Sequence, residues 1–215
     1  MIDTYFASPE VSNSDLTELD QYFNPTKQFG DPEIAFRMGN LFDYSVTEPH
    51  KVNYFKRTIE GYPEPFDPET WKIAEQMKKG LSKDKFWGQI KPLCSYQRIF
   101  REQLTFEYNS FTFSLRMRCK YDFFMNAMEW GGDLKSTACT SQKQFVEACY
   151  HFSYPRSRAL YMLLSGAKKD IIIGVSKKNF QVFKVPIVYG DKIFNDGMQE
   201  LKELAFQWFY LYENF

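Results

Sequence analysis

Arg118-Cys119-Lys120-Tyr121-Asp122 is followed, eleven positions beyond its aspartate, by Asp133-Leu134-Lys135-Ser136-Thr137. Alternation along a strand places Asp133 and Lys135 on one face. If the preceding strand pairs antiparallel with theirs, Asp122 lies near its end and its carboxylate reaches the same space. Two carboxylates beside a lysine suit phosphodiester hydrolysis. The acids would hold Mg²⁺, a hard cation that prefers oxygen donors. The lysine would orient a water or offset charge growing on the phosphate. Taken by itself, D-x-K also describes solvated charges on an exposed strand. Gly131-Gly132 ahead of it, the upstream aspartate and the long helix behind it favour the chemical reading.

Working outward, Leu104–Tyr108, Asn109-Ser110 and Phe111–Lys120 read as a β-hairpin with a short polar turn. Residues 96–103 lead into it as helical character fades into strand, and Met128–Lys135 is a third strand. Thr140-Ser141 caps a helix running to about Ser165, which Pro155 should kink or divide. Two strands are expected at 170–175 and 180–185, then an aromatic-rich helix over 190–215. Upstream, Ser12-Asn13-Ser14-Asp15 starts a short helix, and Asn24-Pro25 and Gly30-Asp31-Pro32 punctuate the loop after it. Pro32-Glu33 opens a helix that Pro49 stops. A proline-rich extended loop over 61–70 precedes an amphipathic helix from Pro68 to Gly80. The order predicts an α/β or α+β domain with a mixed central sheet flanked by helices. It is read as a single domain over 1–215, with a helical part at 1–95 and the sheet–helix core at 96–215.

Lysine plus arginine and aspartate plus glutamate number 27 each. That balance weighs mildly against nucleic acid, which usually meets a basic face, although a carboxylate site would mask one in the sum. Cys94, Cys119, Cys139 and Cys149 show neither zinc spacing nor a cluster near the C-terminus. Scattered thiols suit a reducing cytoplasm. The opening residues carry no signal-peptide pattern, and no apolar run approaches the roughly 18 residues of a membrane span. His50 and His151 lack partners at diagnostic spacing and are expected to be structural. Ser136 and Thr137 are expected to bond locally, and no Walker A loop or dinucleotide fingerprint is present. Phe206, Trp208, Phe209, Tyr210 and Tyr212 offer either a contact surface or, the favoured reading, helix packing.

Four stretches in order resemble the RecE-like (exodeoxyribonuclease VIII type) exonucleases of the PD-(D/E)XK superfamily, whose core is restriction-endonuclease-like. Pro9-Glu10-Val11-Ser12-Asn13-Ser14-Asp15-Leu16 is similar to that family's S-x-S-x-L opening. Met38-Gly39-Asn40-Leu41-Phe42-Asp43-Tyr44-Ser45-Val46-Thr47-Glu48-Pro49 is similar to its G-x-x-x-H-x-x-x-x-E-P helix. The two aspartate stretches match its catalytic strands, and Tyr150–Tyr161 follows its tyrosine-rich helix. The resemblance implies Asp122, Asp133 and the carbonyl of Leu134 as metal ligands, Lys135 as the catalytic lysine, and Mg²⁺, with Mn²⁺ as a substitute. Asp43 stands where the family has a histidine ligand, and is either a replacement ligand or a helix-surface acid. Glu102 sits where relatives often carry a further acid, or is a surface charge. A glutamine usual ahead of the helix tyrosine is missing; Arg156 and Arg158 occupy that region, as DNA-phosphate contacts or as solvated arginines.

The activity implied is resection of linear double-stranded DNA ends in phage- or prophage-type recombination, with a single-strand annealing protein as partner and a homo-oligomeric ring as the assembly. An endonuclease or repair enzyme on the same scaffold, or a DNA-binding module that has lost catalysis, are the rival readings.

Overall fold

In the computed structural model the described residues are Tyr5, 7–25 and 31–213. Residues 1–4, Gly30 and the last two positions of the expected terminal helix lie outside them. Helix α1 (Asn13–Phe23) begins with a capping box between Ser12 and Asp15. Helix α2 (Pro32–Thr47) starts on Asp31, whose carboxylate accepts from the Glu33 and Ile34 amides, with proline at the first position. A small antiparallel pair, β1 (Val52–Asn53) and β2 (Thr58–Ile59), precedes α3 (Pro68–Lys83) and α4 (Lys85–Ile90). Neither the small pair nor α4 was expected, being too short to show a period.

The main sheet has the order β3 (Ser95–Tyr108), β4 (Phe111–Met125), β5 (Trp130–Thr137), β6 (Lys169–Ser176), β7 (Val182–Val188). Only β5 and β6 run parallel, joined through α5 (Gln142–His151) and α6 (Tyr154–Ser165). Helix α7 (Lys192–Trp208) follows, ending in one π-helical turn, Phe209–Glu213. This is the mixed sheet flanked by helices that the element order implied. The whole of 95–108 is strand, with no helical lead-in. The third strand starts two residues late because Asn126–Met128 form a 3-10 turn closed by left-handed Glu129, φ 48°. Pro155 does divide the long helix, which breaks at Ser153 (φ 51°) and restarts with proline in its first turn.

Two apolar layers lie on the sheet's opposite faces. Helices α1, α5, α6 and α7 cover one, around Met117, Cys119, Tyr121, Phe124 and Ile172. Helices α2, α3 and α4 cover the other, around Phe123, Met125, Leu134, Ile171 and Ile173. Among the C-terminal aromatics, Phe206 and Phe209 pack on Phe113 with ring centroids 5.7 and 5.2 Å away, whereas Tyr210 and Tyr212 are exposed. Among the described residues no helix is long and apolar enough to cross a membrane.

One irregularity shapes the sheet's centre. Strict alternation would keep Tyr121 and Phe123 on one face. Instead Tyr121 joins the first layer and Phe123 the second, so β4 turns over at Asp122. Its partner does the same: Phe100 packs with the first layer and Tyr96 with the second. The β3–β4 ladder, otherwise in register, is interrupted at Gln97 and Asp122, and Gln97 has φ 53°. On the other side, β4 and β5 pair only from Phe123↔Gly132 to Met125↔Trp130 and then part. Val11 occupies the β4 edge thus exposed, donating its amide to the Arg116 carbonyl and accepting from the Arg118 amide, both at 2.9 Å.

Gly131 and Gly132 let β4 and β5 meet before they part. A Cβ on Gly132 would lie 2.2 Å from the Phe123 ring and 2.8 Å from the Ile171 carbonyl oxygen; one on Gly131 would lie 2.2 Å from the Tyr121 ring. Gly132→Ala is therefore expected to cost about 1–3 kcal/mol, the usual range for overpacking a filled interior. Urea unfolding would show it, and a midpoint equal to that of the unaltered protein would contradict this account of the glycine pair.

Candidate active site

Four expected site residues meet where β4 and β5 part. Asp122 and Asp133 are the first facing pair beyond the last paired rung, and the Leu134 amide, with no strand partner on that side, donates to Asp122 Oδ2 at 2.6 Å. Asp133 and Lys135 share the β5 face that looks toward α6: Lys135 Nζ is 2.6 Å from Asp133 Oδ2 and 5.2 Å from the Tyr154 ring centre. From the opposite layer, α2 brings Asp43 into electrostatic reach of Asp122, Asp133 and Lys135. The Asp43 carboxylate accepts from Gln97 Nε2 at 3.3 Å and shares the Thr47 hydroxyl proton (3.2 Å) with the Asp43 backbone carbonyl (3.1 Å), and Gln97 Nε2 also donates to Thr47 Oγ1 at 3.1 Å. Asp43 is thus a member of the cluster and not a helix-surface acid.

Both readings of the two arginines are corrected, and Glu102 takes its surface-charge alternative. Arg156 and Arg158 are each 1% exposed, so neither guanidinium is at the surface to meet a phosphate. Arg156 ties α6 to α1 and α7 through Asn13, Thr17 and Glu200 at 3.0, 2.6 and 2.8 Å. Arg158 makes a two-point ion pair with buried Asp170 (3.0 and 2.9 Å), reaches Asp133 Oδ1 at 3.3 Å, and lies over the rings of Tyr121 and Tyr161. Helix spacing could not reveal this, because the acids that bury these arginines come from other elements. Glu102 is an exposed residue of β3 opposite Met117. It lies five positions from Gln97, roughly 17 Å along the strand, and belongs to a surface cleft with Glu10, Arg101, Gln103 and Arg116. His50 and His151 are exposed, and Thr137 Oγ1 accepts from the Cys139 amide, a local bond as expected.

Charge is the site's dominant property. Asp43, Asp122, Asp133 and Asp170 face two cations, Lys135 and Arg158, leaving an excess of two negative charges when all are ionised. Burial, then the charges of Asp43 and Asp133, hold the Asp122 carboxyl well above the usual range, against the pull of Lys135 and the Leu134 amide. Burial pushes Asp43 up to about 6 although Thr47 and Lys135 oppose it. Burial also pushes Asp170 up to about 6 despite Arg158, so that pair remains ionic at neutral pH. Lys135 is moved the other way from a typical buried lysine: Asp133 and Asp122 overcome its desolvation and raise it, so it stays protonated. Asp133 Oδ2 is buried and, although in ionic contact with Lys135, has no hydrogen bond of acceptable angle among the described residues.

These features fit a divalent cation: hard oxygen donors, and a two-charge excess when all the acids are ionised. Among the described residues no group of three or more His, Cys, Asp or Glu already stands at metal-holding distances.

A pH dependence follows. The Asp43 pKa in the folded chain, about 6, exceeds its usual 3.8, so the folded state holds that proton more tightly than the unfolded state. The stabilisation this supplies is complete below about pH 4 and is lost as pH rises through about 6. In chelator, Asp43→Asn is expected to gain stability over the unaltered protein at about pH 7 and not at about pH 4. Urea midpoints at the two pH values measure this; an equal difference at both would contradict it.

The class defined by fold and site is a mixed sheet flanked by helices, with a carboxylate–lysine cluster where two central strands part. No protein-family model and no curated protein matches the sequence. Among solved structures, the chain is similar to a candidate exonuclease from Eubacterium rectale, with TM-score 0.57 and 13% identity over 87% of this chain and 70% of that one. It is more loosely similar to a phage-related exonuclease from Haemophilus somnus 129PT, with TM-score 0.40 and 13% identity over 93% of each. The first likeness establishes a shared fold.

A residue of the cluster that sequence reading missed is Gln97, which bonds Asp43. Nothing in the order of residues marks it, because its role arises from a left-handed backbone and a bond to a side chain 54 positions away.

Proposed function

We propose that this chain is a metal-dependent deoxyribonuclease of the PD-(D/E)XK type, an exonuclease resecting linear double-stranded DNA ends. The observation that carries the reading is the meeting of Asp43, Asp122, Asp133 and Lys135 at the parting of β4 and β5. The shared fold with the Eubacterium rectale protein, itself described as a candidate exonuclease, supports it.

Asp43, Asp122, Asp133 and the Leu134 carbonyl would hold Mg²⁺ or Mn²⁺. Such a cation supplies charge for the scissile phosphate and acidifies a water so that hydroxide is available near neutrality. Lys135, held protonated by two acids and partly open to solvent, acts as an electrostatic stabiliser of phosphate charge and not as a general base. The Tyr154 hydroxyl, pushed up to about 12 chiefly by burial, also keeps its proton. Arg158, itself anchored by Asp170, holds Asp133 Oδ1 at 3.3 Å, fixing one carboxylate oxygen before substrate arrives. A role in phage- or prophage-type recombination, with an annealing protein and a ring assembly, belongs to the same proposal on the strength of the sequence resemblance.

The test is incubation of purified protein with linear and with covalently closed circular duplex DNA in Mg²⁺ or Mn²⁺. Degradation of linear DNA only supports an end-dependent exonuclease. Cutting of both moves the reading to an endonuclease, and cutting of neither leaves a DNA-binding module.

A further inference from the structure

The geometry points to Gln97 as a positioning residue that orients Asp43 for cation binding; the inference rests on the nuclease reading and on Asp43 as a ligand. Gln97 is one of the few non-glycine residues at positive φ, in a region that costs a residue with a Cβ and is usually filled by glycine or asparagine. Its position is not a turn. It lies inside a fourteen-residue strand, where extended backbone is the default. The departure interrupts the ladder opposite Asp122 and coincides with the turnover of both strands.

Backbone strain persists where surrounding structure over-determines it, and such strain clusters at functional sites. Here the side chain accounts for the identity of the residue. Gln97 Nε2 bridges Asp43 Oδ2 (3.3 Å) and Thr47 Oγ1 (3.1 Å), while the single Thr47 hydroxyl proton is shared between the Asp43 backbone carbonyl (3.1 Å) and Asp43 Oδ1 (3.2 Å). The Gln97 amide is thus a neutral donor on Asp43 Oδ2, which fixes direction without neutralising the charge a cation needs. A group needed only to complete the strand would be served better by a residue at ease with positive φ. The long amide is explained by its reach across to α2. Outer partners of this kind typically alter metal affinity by about 10–100-fold when removed.

The experiment compares the unaltered protein with Gln97→Gly and Gln97→Asn. Both replacements accept positive φ; the first has no amide and the second falls one methylene short. Mn²⁺ affinity is read by calorimetry without DNA, thermal unfolding in chelator, and cleavage of linear duplex as separate kcat and KM. The expected result is a melting temperature equal to or above that of the unaltered protein, Mn²⁺ binding weakened by about tenfold or more, and a lower kcat with KM for DNA unchanged. A residue of purely structural importance would lower the melting temperature and leave the affinity of the folded fraction as it was. Variants that bind Mn²⁺ within about twofold of the unaltered protein, short of the usual outer-partner effect, overturn the inference and leave the nuclease reading standing. An unaltered protein that binds no Mn²⁺ and cuts no DNA overturns both. Mn²⁺ binding that depends on Gln97 in a protein that cuts nothing sustains the inference while the nuclease reading fails.

Discussion

Asp133→Ala is expected to reduce hydrolysis of linear duplex DNA by about a thousandfold or more while leaving the fold intact. The size follows from the several kcal/mol that cation chemistry contributes to a barrier, each 1.36 kcal/mol being tenfold in rate. Asp133 touches both Lys135 and Arg158 and faces Asp122 across the parting strands, so on the proposed reading its loss removes a ligand and frees the lysine together. The fold should survive because Arg158 keeps its two-point pair with Asp170, and Lys135, whose side chain is 31% exposed, can turn to water. Lys135→Ala removes only the stabilising charge and is expected to cost about 10²–10³-fold, as loss of one preorganised donor does. The measurement is single-turnover degradation of end-labelled duplex, with unfolding curves as the control. An Asp133→Ala protein that degrades DNA at the normal rate would remove this site from the mechanism.

The second large effect concerns stability. Arg158 and Asp170 have side-chain exposures of 1% and 0%, and the guanidinium centre lies 4.8 Å from the Tyr121 ring centre and 4.2 Å from that of Tyr161. Breaking a buried pair from one side leaves an uncompensated charge, which costs about 3–5 kcal/mol. Arg158→Met is therefore expected to lower stability by that amount, with the stranded Asp170 as the cause. Adding Asp170→Leu removes the stranded charge and should recover much of the loss, since apolar replacement of a whole buried pair is often neutral. Urea unfolding of the two single variants and the double variant decides this. A double variant as unstable as the sum of the singles would mean that ring stacking and packing dominate over charge.

Legibility in the sequence tracked how local the determining physics is. The openings of α1, α2, α3 and α5 were legible at Ser12, Pro32, Pro68 and Ser141, and the capping side chains, Ser12, Asp31, Asp67 and Ser141, each accept from amides of their own first turn. Period-two spacing put Asp133 with Lys135, and the facing of Asp122 and Asp133 followed from antiparallel pairing. Asp43 was named as a candidate because it aligned with a ligand position, but only packing showed that α2 lays it against strands some 80 residues further on. Arg156 and Arg158 went the opposite way. Polar residues on a helix normally face water, and their burial depended on acids from α7 and β6 that no local pattern announces.

By itself, then, the amino-acid order determined the starts of α1, α2, α3 and α5, the run of strands in the main sheet and the residue types able to do chemistry, because caps, periods and proline stops act over a few positions. Tertiary structure decided where β4 leaves β5, which acids share the opening, and which arginines are withdrawn from solvent. Those outcomes depend on long-range register and on partners from distant elements, as with the bond from left-handed Gln97 to Asp43 across β3 and α2. The free energy that fixes them comes from contacts that do not exist until the chain has folded.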